Sequence, residues 1–443
     1  SSAIGFLAIF IVDFVDLLFI SMLGVQELAA AVGYAGSILF VTTSVTIGLG
    51  IAAGALVARS LGANDQDRAT AYFTHVMLAG TLFSIIFAAA IYAGLDELTS
   101  LAGASGETQR LAIAYLAILT PTMPLLLIGI VTSAALRSHG AASLAMSVTL
   151  VAGGVNAVLD PILIFWFDLG LDGAAWATVA SRFAMAGTGI WFMVRRFGGF
   201  SRLSLAAAMK DIGPIAAISL PAILANVATP IGSAYVTRAM SEFGEDAVAG
   251  MAIIGRITPI AFALVFAISG AIGPIIGQNF GAGQHDRVGE AFNSSIILIA
   301  AYVVPVVLIL FMVRGLIADL FIAEGVARDL IFLFCGPLSL AWIFNGIIFV
   351  ANASYNNLNH PFYSTWVNWG RNTLGVVPFA YVGSQVLGAQ GVLVGQMAGG
   401  IFVAIAAVIL ARRIIKQSDT ASGGDVCPFA RHRDEFRIVN LRH

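Results

Sequence analysis

Twelve stretches of twenty or more mostly apolar residues follow one another along this chain, separated by short polar breaks. They cover residues 3–23, 36–59, 69–95, 110–136, 141–166, 171–196, 211–240, 247–279, 287–313, 328–354, 361–386 and 390–415. A run of that length crosses the hydrocarbon core of a bilayer as a helix. Only helices and closed barrels can satisfy their own backbone there. The pattern restricts the chain to an all-α integral membrane protein with twelve transmembrane helices. Composition agrees, because 59% of the 443 residues are hydrophobic and only 10% are charged. A soluble domain carries about 25% charged residues. The apolar opening "SSAIGFLAIFIV" has no basic leader and is expected to be the first membrane helix, not a signal peptide. Gly129, Pro161, Pro221, Pro230, Pro259, Pro274, Pro305 and Pro378 fall inside the runs and mark expected bends.

Lys and Arg are unequally shared between the two sets of loops. One side collects Arg59, Arg68, Arg137, Arg195, Arg196, Arg202, Lys210, Arg287, Arg412, Arg413 and Lys416, and the other only Arg110, Arg238, Arg314 and Arg328. The basic side is expected to face the cytoplasm of a cell inner membrane, with both termini there. Residues 417–443 are polar and aperiodic, and they read as a mobile tail. The net charge of −2 gives no basic field for nucleic acid. Cys335 and Cys427 lie in unrelated contexts and define neither a disulfide framework nor a metal site.

The chain repeats itself. "GANDQDRA" at 62–69 returns as "GAGQHDRV" at 281–288, an offset of 219 residues. "LGVQELAAAVG" at 23–33 is echoed by 243–253, and "LGLDGAAWAT" at 169–178 by 387–396. Two homologous lobes of six helices follow, residues 1–196 and 211–416, joined by a linker at 197–210. An even helix count per half makes the repeat parallel, about an axis along the membrane normal, an arrangement that places transporter sites near the repeat interface. The two "G-A-x-x-x-D-R" stretches themselves read as short turns, with glycine for positive φ and aspartate to cap the next helix.

The ionisable residues inside the runs are Asp13, Asp16, Asp160, Arg182, Arg256 and Arg371. Each charge at mid-bilayer costs roughly 2.5–3.5 kcal/mol on insertion scales, so such groups face a bundle interior or a wet cavity. At ~1.5 Å per residue, Asp16, Asp160 and Thr178 lie at one depth, roughly 10 Å below the outer surface. Asn156 is one helical turn from Asp160, on the same face. All belong to the first lobe, and the second holds Val236, Gln396 and the stretch around Leu374 and Pro378 instead. Two carboxylates close together in a low dielectric favour a raised pKa on one of them, which suits proton coupling. The same oxygens also suit a bare Na⁺. The residues leave that choice open. A structural role stands beside these readings. Pro161 frees a carbonyl next to Asp160, and the three arginines read more readily as structural partners than as ligands.

Other chemistries find no support. No Walker motif occurs, the Gly-rich stretch near 48–54 lies in an apolar run, and His75, His139, His285 and His360 show no metal spacing. A membrane-embedded hydrolase would need a nucleophile and base at matched depth, and none is evident.

The helix count, the two lobes, the repeated turns and "VDLLFISMLGVQELAAAVG" at 15–33 together resemble the multidrug and toxic compound extrusion (MATE) family, over residues 1–416. The resemblance is nearest the DinF-type branch with a cation site in the N-terminal lobe. It implies a coupling site of Asp16, Asn156, Asp160 and Thr178. Asp13, one turn from Asp16, has no assigned counterpart and is a further candidate. The NorM-type branch carries acidic residues in its C-terminal lobe. Here the tenth helix offers Asn345 and the seventh no membrane carboxylate. The resemblance implies a non-enzymatic secondary active exporter of amphipathic or cationic organic compounds, in antiport with H⁺ or Na⁺. It implies no other metal or cofactor and a monomer in the bilayer. The rival expectation is a lipid or lipid-linked oligosaccharide flippase of the same architecture.

Overall fold

A computed structural model describes residues 26–202 and 204–420. The first apolar run, with Asp13 and Asp16, and the end of the tail lie outside the described residues. Five long helices span the rest of the first half, with a short helix at Leu95–Leu101 between the second and third: α1 (Gln26–Gly62), α2 (Gln66–Ala93), α3 (Gly106–Ser138), α4 (Ala142–Trp166) and α5 (Gly170–Phe197). The second half holds α6 (Leu205–Ser241), α7 (Glu245–Ala261), α8 (Ala263–Gly281), α9 (His285–Leu320), α10 (Gly325–Phe334), α11 (Trp342–Asn357), α12 (Phe362–Gly370) and α13 (Val377–Thr420).

These make eleven passes, matching the last eleven of the twelve expected runs. α7 and α8 form one pass, broken at Phe262, three residues beyond Pro259. α10 and α11 form another, broken by a 3₁₀ turn at Pro337–Ala341 that the sequence reading did not expect. α13 is two arms folded back at Gly388, whose φ of +60° only glycine adopts readily. The arms pack so closely that Gly383, Gly391, Gly395 and Gly399 have no room for a Cβ. Small residues let membrane helices approach in this way.

Packing sorts the helices into two lobes. One core runs from Val236 through Phe292, Tyr355 and Leu393 to Ile415, and the others lie among α1 to α5. Ile215 and Ile218, from the beginning of α6, belong to the first lobe's core. Outward-facing Leu82, Ile86, Val158, Leu308 and Met312 are each more than half exposed, as a lipid-facing belt requires. α1 is the exception: 67% of its most apolar stretch is buried against 28% for α2, which places it between the lobes.

The lobes meet at the basic end. A Cβ on Gly62 would fall on the Gln278 carbonyl, and one on Gly281 would fall on the Arg59 carbonyl. These two contacts are exchanged by the 219-residue offset, as is the approach of Ala58 to Gly277, where an added Cβ would sit 2.9 Å away. The crossing of α1 and α8 is thus reciprocal, with Ala58 and Gly277 near its axis. Positive φ in the two repeated turns falls on Asn64 and Gly283. Gly62 and Gly281 are there for close approach, and only the first turn has an aspartate cap, Asp65 to the Arg68 N–H at 2.8 Å. Further contacts join the same ends: Gln278 donates to the Ser138 carbonyl at 2.6 Å, and Arg59 to Asn359. Toward the opposite end of α1, Gly33 and Gly36 have open space around them among the described residues.

Candidate cation site and its surroundings

α4 carries no charged residue in the four turns before Asn156 and Asp160. Both side chains are buried, at 5% and 0% exposure, in a helix whose last residues Phe165 and Trp166 are exposed. The Asn156 amide donates to Asp160 Oδ2 at 2.6 Å. Pro161 follows, has no N–H, and the helix widens into a π turn over Ile162–Trp166. The buried carboxylate therefore sits at the one irregular point of its helix.

The register of α5 against α4 sets Thr178 at the level of this pair. Ser181 Oγ donates to the Ala152 carbonyl at 2.8 Å, and a Cβ on Gly173 would lie 2.7 Å from the Leu163 backbone. Between these fixed points the antiparallel pair sets Thr178 across from Asn156, one turn from Asp160. Its hydroxyl donates to Ala174 in its own helix at 3.1 Å, so its oxygen lone pairs remain available as acceptors. One turn farther along α5, Arg182 donates to the Leu119 carbonyl at 2.9 Å and to Thr122 Oγ1 at 2.7 Å. It braces the 3₁₀ interruption at Thr120–Thr122 in α3, the structural role expected for it. Arg256 is exposed on α7. Arg371 donates to Asn345 at 2.8 Å. What the described residues place together is Asp160 with Asn156, a buried carboxylate of the kind that can take up a proton or a hard cation. Among the described residues no group of three or more His, Cys, Asp or Glu could hold a metal ion.

The sequence reading missed a second buried charge cluster at the basic end. Asp211 of α6 takes both Arg68 Nη1 at 3.2 Å and Nη2 at 2.6 Å, while His75 Nδ1 lies 2.6 Å from Asp211 Oδ2. Arg68 also donates to Tyr72 Oη at 2.9 Å. Asp211 and His75 are 3% and 2% exposed, whereas Arg68 is 41% exposed. The linker is fastened beside them: the Ser201 N–H donates to Thr74 Oγ1 at 2.9 Å, and Phe200 stacks on Phe73. His75 was visible as an isolated polar residue in an apolar run, but nothing local pairs it with Asp211.

Asp211→Ala should destabilise the detergent-solubilised protein by about 1–3 kcal/mol, the cost of leaving a buried polar group without its partner. Arg68 can turn to water, but His75 cannot. Asp211→Asn keeps an acceptor and should lose less. Thermal unfolding of the three proteins checks the order, and equal midpoints would contradict it.

A helical membrane protein of two pseudo-symmetric lobes, closed at one end and carrying a buried carboxylate in one lobe, has the architecture of a secondary transporter. The MatE family model matches the chain twice, at residues 2–162 and 221–382, and the second match begins 219 residues after the first. The chain belongs to the MatE family, whose members are transporters and not enzymes. It is 26% identical to the FAD transporter of Shewanella oneidensis over 426 residues, which cover 93% of this chain and 92% of that one. It is 25% identical to the multidrug export protein MepA of Staphylococcus aureus over 312 residues, 70% of this chain and 69% of that one. The fold matches a mutant of the Vibrio cholerae MATE transporter VcmN with a TM-score of 0.88 at 23% identity, over 94% of this chain and 95% of that one. It also matches a multidrug resistance MATE family transporter of the MOP superfamily in an outward-facing conformation, with a TM-score of 0.89 at 22% identity, over 94% of each chain.

Proposed function

We propose that this protein exports amphipathic organic compounds across a cell inner membrane in exchange for inward-moving H⁺ or Na⁺. The observation that carries this reading is Asp160, a fully buried carboxylate held by Asn156 within a membrane helix. An ionised carboxylate there is costly, and its neutralisation by a proton or Na⁺ removes the cost. Asp16, Asp13 and Thr178 belong to the same proposed site. The π turn directly after Asp160 is where α4 can change pitch when that charge is cancelled.

In this reading the basic end faces the cytoplasm, with both termini there, and the reciprocal crossing of α1 and α8 is the closed cytoplasmic gate. The coupling ion enters from the opposite side, and a monomer suffices because both lobes lie in one chain. The relatives' multidrug export and FAD transport support an organic solute as cargo.

The test is ethidium efflux from inverted vesicles, driven in turn by a proton gradient and by a sodium gradient. Export under one of them supports the reading and names the ion. Failure under both, with lipid scrambling by the purified protein, would replace it with the flippase reading.

A further inference from the structure

Inside the membrane the first half holds the acid Asp160 together with Arg182, whereas the described part of the second half holds a positive charge with no acid at its depth. Every Asp and Glu of the second half from residue 205 to 417 lies within about seven residues of a helix end, so none sits at mid-bilayer. Arg371 does. It is about nine residues into its pass from Phe362, roughly 14 Å deep at ~1.5 Å per residue, and it is partly exposed within a packed lobe. Its contacts are a neutral oxygen, Asn345 Oδ1 at 2.8 Å, and the face of Phe349 at 5.9 Å. Its remaining N–H groups have no protein partner among the described residues. A guanidinium cannot shed its charge, and in a low dielectric it calls for an anion.

A second donor lies on the same face of α11. Trp342 is one turn from Asn345, and its indole Nε1 is buried with no acceptor among the described residues. Trp342 stacks on Phe262 at 4.8 Å and meets Phe266 at 5.9 Å, and Phe266 meets Phe349 at 5.4 Å. An aromatic wall thus adjoins two donor groups that lack an anionic partner.

Building on the exporter reading, we infer that Arg371 binds the oxyanion of the transported compound. The cargo is then a flat aromatic molecule bearing a phosphate or carboxylate, its ring on the Trp342–Phe266–Phe349 wall and its acid on the guanidinium. The first lobe then handles the coupling cation through Asp160, and the second handles the cargo's negative charge through Arg371.

Flavin mononucleotide and riboflavin test this directly, since they share one ring system and differ by a phosphate. Flavin fluorescence polarisation with the purified full chain, with no gradient, should give at least tenfold tighter binding of the phosphorylated form. Arg371→Gln should bring flavin mononucleotide to the riboflavin affinity and leave riboflavin within twofold, which also reports that the variant is folded. Arg371→Lys should keep part of the preference, and Trp342→Phe, which preserves stacking, should lower it about threefold. Wild type that does not prefer the phosphorylated form, or an Arg371→Gln protein that keeps the preference, overturns the inference. Competition by added phosphatidylglycerol would assign Arg371 to a lipid headgroup and overturn the cargo assignment. Ethidium export that continues while the flavin preference is absent fells this inference alone and leaves the exporter reading standing.

Discussion

The Asp160→Asn protein should reach the membrane in normal amount and export nothing against a gradient. The substitution is nearly isosteric, and the new amide oxygen accepts the Asn156 N–H as Oδ2 does now at 2.6 Å. Packing around a fully buried position is therefore preserved. Removing an ionisable group from the bilayer interior relieves a cost of roughly 2.5–3.5 kcal/mol on insertion scales, so thermal stability should be equal or higher. What disappears is the ability to gain and lose a unit of charge. A drop in gradient-driven ethidium efflux of about a hundredfold, with unchanged expression and an unfolding midpoint no lower than wild type, is the expected result. It corresponds to about 2.7 kcal/mol of lost coupling at 1.36 kcal/mol per decade. Efflux above a tenth of wild type would remove Asp160 from the coupling role.

Gly62→Leu should be as damaging for a different reason. Its Cβ would occupy the position of the Gln278 carbonyl, a backbone atom that cannot swing aside. Over-packing of this kind costs about 1–3 kcal/mol or more. Here that cost falls on one arrangement of the lobes, since each lobe's own core is untouched. The population of the closed state at the basic end should fall tenfold or more, and export with it. Gly281→Leu should match it, because Gly281 meets the Arg59 carbonyl through the same contact viewed from the other half. Gly36→Ala is the control, since among the described residues nothing lies within 4 Å of its Cβ position. Cysteine accessibility from the basic side should rise in both leucine variants. Wild-type efflux in either would show that the crossing need not close for transport.

Apolar run length located the passes, as His285–Leu320 illustrates: 36 residues with one internal proline and no ambiguity of period. The interruption at Phe262 was harder, because "TPIAFALVFA" continues the apolar composition through a break in the backbone. Asn156 and Asp160 stood out because charge in a membrane run is costly, and their spacing of four already placed them on one face. Asp211 and His75 did not, since 136 residues separate them and only tertiary packing joins them. The turn glycines were legible as glycines but not as contacts between the lobes, because what excludes a side chain there is a carbonyl from the other half of the chain. Asp13 and Asp16 lie outside the described residues.

The way α6 is shared bears on where this chain can be divided. Its first turns are held to α2 by Asp211 and buried with Ile215 and Ile218 among the first lobe's side chains, while Val236 and Met240 belong to the second. Pro214, Pro221 and Pro230 punctuate the length between. The connecting loop is fastened to α2 through Ser201 and Phe200. Cutting the backbone in that loop would therefore strand the beginning of α6 on the wrong fragment, and two separately made pieces should have to recombine before either is fully buried. The natural seam of the molecule runs through the middle of a helix, among its prolines, and an exchange of lobes between relatives should succeed there and fail at the loop.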